Sequence, residues 1–207
     1  MSLGERICAA CYDPLTARWE RTYGGALRRD VLARAHGRVL ELGLGTGHSL
    51  PHYPAAVEEL VAVEPSAPMA HRARKRAHAA GRDVTVVSAP AERLPFEAAS
   101  FDTVVAMLVL CTVQDPAGAL AEVRRVLKPD GTFLFMEHVR SESESLARWQ
   151  DRLERPWGFV AGGCHPNRPT LAAIEAAGLR IVDVEPGDQP GVAPLVRPFI
   201  RGAAAPT

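Results

Sequence analysis

The sequence predicts an α/β protein built on a Rossmann-like, doubly wound sheet of seven strands, mainly parallel, with the last strand antiparallel. Three observations predict it. Short β-branched apolar runs alternate with Ala/Arg/Glu-rich stretches of helical periodicity, the pattern of βαβ units. One apolar run leads straight into three glycines on alternate positions, Gly43, Gly45 and Gly47. With 207 residues, 47% of them hydrophobic and 23% charged, the chain can bury a sizeable core without metal or disulfide staples. A single domain over residues 1–207 is expected.

In chain order, residues 1–36 are expected to form a helical lid region, with helix from Pro14 to His36 broken at Gly24-Gly25. Strands are expected at Arg38–Leu42, Leu60–Glu64, Val84–Ser88, Phe101–Met107, Thr132–His138 and Leu179–Val184, with a looser one near Leu195–Gly202. Helices fit Pro68–Ala80, Pro116–Leu127 and Thr170–Ala177. The Pro116 helix carries both boundary signals: Asp115 can cap its free N–H groups, a proline opens it, and Lys128-Pro129-Asp130-Gly131 ends it. Residues 140–169 interrupt the alternation with a charged helix, Ser145–Arg155, then Pro156-Trp157-Gly158 and a Gly/Cys/His/Pro loop. An insertion of that kind is expected on the substrate side. Residues 203–207 read as a frayed end.

Composition excludes several partners. There are 24 Lys and Arg against 24 Asp and Glu, so the formal charge is zero with the seven His neutral. No net pull on nucleic acid or anionic lipid follows. The basic run His71–Arg76 reads as the solvated face of an amphipathic helix. Four scattered cysteines do not make a disulfide scaffold and read as free thiols in a reducing cytoplasm. Cys8-Ala-Ala-Cys11 has zinc or redox spacing, but no second close pair follows it. His48 and His52 are four apart, yet Pro51 spoils a helical metal site. No metal is expected. The longest apolar run, Val104–Cys111, is far short of the ~20 residues of a membrane span, and no membrane anchor is expected.

Chemistry concentrates in Val39-Leu40-Glu41-Leu42-Gly43-Leu44-Gly45-Thr46-Gly47. Glycines there let the main chain turn tightly and approach a ligand. The next strand ends in Glu64, a carboxylate placed to accept both hydroxyl hydrogens of a ribose. A dinucleotide fingerprint needs G-x-G-x-x-G, but His48 follows Gly47 and the spacing is G-x-G-x-G. Glu41 would repel a diphosphate and suits an ammonium group. S-adenosylmethionine (SAM) carries an ammonium, a sulfonium and a ribose, and no phosphate.

These residues resemble class I SAM-dependent methyltransferases of the ubiquinone/menaquinone-biosynthesis type over roughly Gly37–Gly178. The resemblance rests on Glu41–Gly47, Glu64-Pro65-Ser66 with Met69, Ala91–Phe96, Ser100–Val105 and Leu120–Gly131. It implies that the glycine loop wraps the methionine part of SAM, Glu64 holds the ribose, Met69 lies near the adenine, and Ala91-Glu92 meets the adenine edge. Pro90 stands where relatives usually have an aspartate. Leu108–Val113, Phe135–Val139, Gly163-Cys164 and Arg168 resemble the alkyl thiol methyltransferases, which carry a hydrophobic N-terminal anchor; this N-terminus shows none. Gly45–Tyr53 also resembles bacterial phospholipid N-methyltransferases.

The expected reaction is in-line methyl transfer to a small acceptor, with a thiol leading and an amine, a phospholipid head group or a phenolic oxygen as alternatives. A non-catalytic nucleotide-binding module is the competing class. His138, at the end of the fifth strand, is the candidate base; Glu137 must point to the opposite face. Cys111, Thr112 and Trp157 are candidate acceptor-side residues. Tyr12 and Met107 join Pro65 and the residues above as cofactor candidates. Cys164 and His165, adjacent in a loop, read as structural.

Overall fold

The computed structural model describes residues 12–207, so Cys8 and Cys11 lie outside the described residues. Helix α1 covers 12–19, a π-helical segment Glu20–Gly24 follows, and α2 is Gly25–Leu32. Then come β1 (Gly37–Leu42), β2 (Val57–Val63), α3 (Ala67–Ala79), β3 (Thr85–Val87), β4 (Phe101–Met107), α4 (Pro116–Val126) and β5 (Leu127–His138). The chain ends with α5 (Glu144–Val160), α6 (Thr170–Ala176), β6 (Leu179–Asp188) and β7 (Pro198–Pro206).

The seven strands lie in the order β3-β2-β1-β4-β5-β7-β6. Those from β3 to β5 pair in parallel, and β7 runs antiparallel to both β5 and β6. Both faces are covered. Along β4, Val104 and Ala106 enter the cluster holding Leu120 and Val123 of α4 and Ile174 of α6. Val105 and Met107 enter the opposite cluster, with Leu32 of α2 and Ala73 of α3. A strand buried on both faces reads as a continuous apolar run, which is why the bounds of β4 match the expectation.

Four expectations need correction. The N-terminal helix does not break at Gly24-Gly25; it passes through the π segment, whose wider turn carries Glu20 to a buried ion pair with Arg28 at 2.9 Å. Helix α5 does not stop at Arg155 but runs through Pro156 to Val160. A proline inside a helix loses one main-chain hydrogen bond, and this stretch lies toward solvent, where water can serve the freed carbonyl. Residues 203–206 are not frayed: Ala203 and Ala204 are buried between β5 and β6. Asp115 takes the cap position of α4 without a side-chain cap bond.

Candidate active site

Strand order reverses between β1 and β4, and the crevice at the carboxyl ends of such a switch point is where open α/β sheets bind ligands. The glycine loop leaves β1 there. Gly43, Gly45 and Gly47 all have positive φ, but they serve different ends. A Cβ on Gly43 would meet Val109 Cγ2 at 2.8 Å, and one on Gly47 would meet Ala73 Cα at 3.2 Å, so both are close approaches within the protein. A Cβ on Gly45 would meet only the Gly43 carbonyl, at 3.9 Å. Its bare side opens toward the crevice, where main chain can meet a ligand.

Glu64 closes the other wall. Its Oε2 accepts from Gly45 N and its Oε1 from Ser66 N, each at 2.8 Å. Burial raises its pKa against those two donors. A carboxylate offers about four lone-pair positions, so both oxygens retain capacity for a hydroxyl pair. Pro65 next to it is exposed, and Met69 sits half-buried in the first turn of α3. Ala91 is buried, and Glu92 Oε1 accepts from Gln114 N at 2.8 Å and Asp115 N at 3.2 Å. Glu92 thus ties the loop after β3 to the start of α4, serving main-chain donors near the place where Asp115 was expected to act. Met107 is buried at the end of β4.

Glu41 lies beneath the loop, where its carboxylate accepts from Ser49 Oγ and, at 3.0 Å, from Tyr53 Oη. Burial pushes its pKa up to about 7 despite these hydroxyls and the nearby Arg28. Tyr12 packs its ring 6.1 Å from that of His48, and burial raises its phenol pKa against the lowering field of Arg28. Asp13, which sequence reasoning missed, fastens α1 across the loop. Its Oδ1 accepts from Thr46 Oγ1 at 2.6 Å and lies 3.1 Å from His48 Nε2 and 3.3 Å from Arg76; Arg72 stands 3.6 Å from Oδ2.

At the ends of β4 and β5 one carboxylate organises the chain. Glu137, buried on the face away from His138, accepts from Val109 N at 2.8 Å, Leu110 N at 2.9 Å and Cys111 N at 3.3 Å. It holds a turn that Leu108 enters with φ +62°, a strained conformation for a residue with a side chain. Arg168 donates to the Leu110 carbonyl and, at 2.7 Å, to that of Val113.

On the other side, His138 Nδ1 lies 3.8 Å from Cys111 Sγ and 3.6 Å from Cys164 Sγ, while Nε2 is 3.3 Å from Gln189 Oε1. The two thiols titrate apart: hydrogen bonding to Cys164, with burial, holds Cys111 well above the ordinary thiol pKa, and the same bond lowers that of Cys164. Trp157 packs against the cluster of Cys111, Cys164 and Val196, and Thr112 is exposed with Oγ1 3.5 Å from Cys111 Sγ. His165 turns away to Glu154 Oε1 at 2.8 Å. Cys164 therefore belongs with His138 rather than with its neighbour in sequence. No spacing rule could pair residues 111, 138, 164 and 189, because four separate segments supply them.

Glycine loop, strand-end acid and 3-2-1-4-5-7-6 sheet together define a class I SAM-dependent methyltransferase. Residues 40–135 match the family described as "Methyltransferase domain". Over 171 residues the chain is 36% identical to thiol S-methyltransferase TMT1B of Rattus norvegicus, an alignment covering 80% of this chain and 69% of that protein. It is also 36% identical over 180 residues to TMT1B of Homo sapiens, covering 84% and 73%. Among solved structures, a SAM-dependent methyltransferase of Thermotoga maritima, titled a possible histamine N-methyltransferase, superposes with a TM-score of 0.73 at 21% identity, covering 98% of this chain and 97% of that one. The chain belongs to the methyltransferase-domain family of SAM-dependent enzymes and is a homologue of the TMT1 thiol S-methyltransferases. Among the described residues, no helix is long and apolar enough to cross a membrane.

Proposed function

We propose that this enzyme transfers the methyl group of SAM to the sulfur of a small thiol. The observation that carries the reading is the half-buried imidazole of His138 facing two buried sulfurs at the carboxyl edge of β5, on the same sheet edge as the Gly45–Glu64 contact. That contact, with Gly43, Gly47, Pro65, Met69, Ala91, Glu92 and Met107 around it, forms the cofactor wall in this reading. Tyr12 closes over it, and Glu41 backs the glycine loop from beneath, on the ammonium side, through Ser49 and Tyr53. Cys111, Thr112 and Trp157 line the acceptor side.

Methyl transfer from a sulfonium requires a nucleophile held in line with the departing sulfur. A thiol becomes that nucleophile as its thiolate. His138 is the polar group on the acceptor side that promotes loss of the thiol proton. Attack of the thiolate on the methyl carbon forms the new S–CH3 bond and returns the sulfonium bond pair to S-adenosylhomocysteine. The pairing of an anion with a cation loses charge in the transition state, which a water-poor crevice favours. A reducing cytoplasm is the setting we assign, since it keeps Cys111 and Cys164 as the free thiols seen here.

The test is release of S-adenosylhomocysteine with parallel panels of small thiols, amines and phenols. Turnover confined to thiols is expected, and His138→Ala should slow it at least tenfold while cofactor affinity stays within twofold. Turnover with amines alone would move the acceptor to nitrogen. Tight SAM binding with no turnover on any panel would leave a binding module.

A further inference from the structure

We propose that Cys111, His138 and Cys164 form a zinc-binding site with one open coordination position, which takes the sulfur of the acceptor thiol. Among the described residues these three alone bring metal-ligand atoms into a close group, all within 4.8 Å of one another. The spacing has the right scale. Zinc bonds of ~2.3 Å to sulfur and ~2.0–2.1 Å to nitrogen, set tetrahedrally, give edges of about 3.5 Å for S···N and about 3.8 Å for S···S. The observed S···N separations are 3.6 and 3.8 Å. Two thiolates and an imidazole are a donor set that selects zinc over magnesium or calcium. With a divalent ion their charges sum to zero, which suits burial.

The surrounding groups fit the same reading. A metal-bound histidine characteristically donates its other ring N–H to an oxygen, which fixes the tautomer. Gln189, 1% exposed, sets its Oε1 3.3 Å from His138 Nε2, so the Nδ1 lone pair points at the sulfurs. The ligand-bearing backbone is also held: Cys111 N donates to Glu137 Oε2 at 3.3 Å, and the Cys111 carbonyl accepts from His165 N at 2.7 Å. Three protein ligands leave a fourth corner free, as in catalytic rather than structural zinc sites.

In the balanced step, binding of the ion displaces the protons of the two cysteines to solvent. The incoming thiol loses its proton to solvent on coordination. Its metal-bound thiolate then attacks the SAM methyl, forming S–CH3 while the sulfonium C–S pair leaves with S-adenosylhomocysteine. The thioether product is a weak ligand and departs. This role for the metal rests on the thiol-acceptor reading above; metal binding itself does not.

The test uses the reduced 207-residue chain, with and without Cys8→Ser and Cys11→Ser, titrated with zinc and cobalt(II). One equivalent of tightly bound metal is expected in both, with a thiolate-to-cobalt charge-transfer band that falls by about half in Cys111→Ser or Cys164→Ser. Gln189→Leu leaves all three ligands in place and should weaken zinc binding by ~10–100-fold, with circular dichroism confirming the fold. Adding a substrate thiol should shift the cobalt bands. No stoichiometric binding by the folded, reduced chain, or binding indifferent to both cysteines, overturns the site. Cobalt bands that ignore the thiol, or full thiol turnover in verified metal-free enzyme, overturn its role while the methyltransferase reading stands. A bound metal with turnover on amines alone sinks the thiol reading and keeps the site.

Discussion

At the scale of single residues, the two carboxylates flanking the glycine loop divide the work by environment. Glu64 keeps lone pairs at the crevice while holding Gly45 and Ser66. Removing it as Glu64→Ala should weaken SAM binding by about 1.5–3 kcal/mol, the scale of hydrogen bonds to a charged group, and calorimetry showing unchanged affinity contradicts the assignment. Glu41 is buried instead, with a pKa pushed to about 7. Between the unfolded value of 4.5 and that folded value, the native state holds a proton that the unfolded state has released, so stability falls as pH rises. The difference is about 3 kcal/mol, lost between pH ~4.5 and ~7. In Glu41→Gln this pH dependence should flatten, as urea melts at pH 5 and pH 8 would show; an unchanged difference between them refutes the raised pKa. Glu41, the three glycines and Glu64 were legible because one strand–loop–strand unit carries all of them at fixed spacing. The depth of Glu41 was not, since it depends on how Ser49 and Tyr53 fold back over it.

Among the elements, burial on both faces made β4 readable, whereas β7 and α5 were misplaced. Ala203-Ala204-Ala205 resembles a loose tail, and only pairing with β5 and β6 makes it strand. Proline at 156 signals a helix end, yet α5 runs through it. The lid was expected as a helix, but its fastening was invisible because Asp13 meets partners 33 to 63 positions away. That fastening predicts a local effect. Asp13→Asn keeps the side-chain shape and removes the charge facing Arg72 and Arg76, so α1 should loosen from the glycine loop. Hydrogen exchange of residues 12–19 should quicken several-fold with the sheet unchanged, and SAM should dissociate faster. Equal exchange in the two proteins would show that α1 is held by packing alone.

Across the whole molecule, the two core clusters share one sheet, and β4 contributes alternate side chains to both. Neither face can lose its packing while the other stays intact. Helix α1 and residues 140–169 reach the same carboxyl edge from distant parts of the sequence, one through Tyr12 and Asp13, the other through Cys164. We therefore expect residues 12–207 to melt as one cooperative domain, with ligands at that edge stabilising all of it. SAM at 100 times its dissociation constant adds about 2.7 kcal/mol by mass action, a rise of roughly 5–10 °C in Tm for a chain of this size. Differential scanning calorimetry with and without SAM measures this directly. A single transition moving as a unit is the expected result. Two transitions, only one of them responding to SAM, would mean that the β5–β7–β6 side folds apart from the cofactor wall, and the shared edge could not then position acceptor against methyl donor.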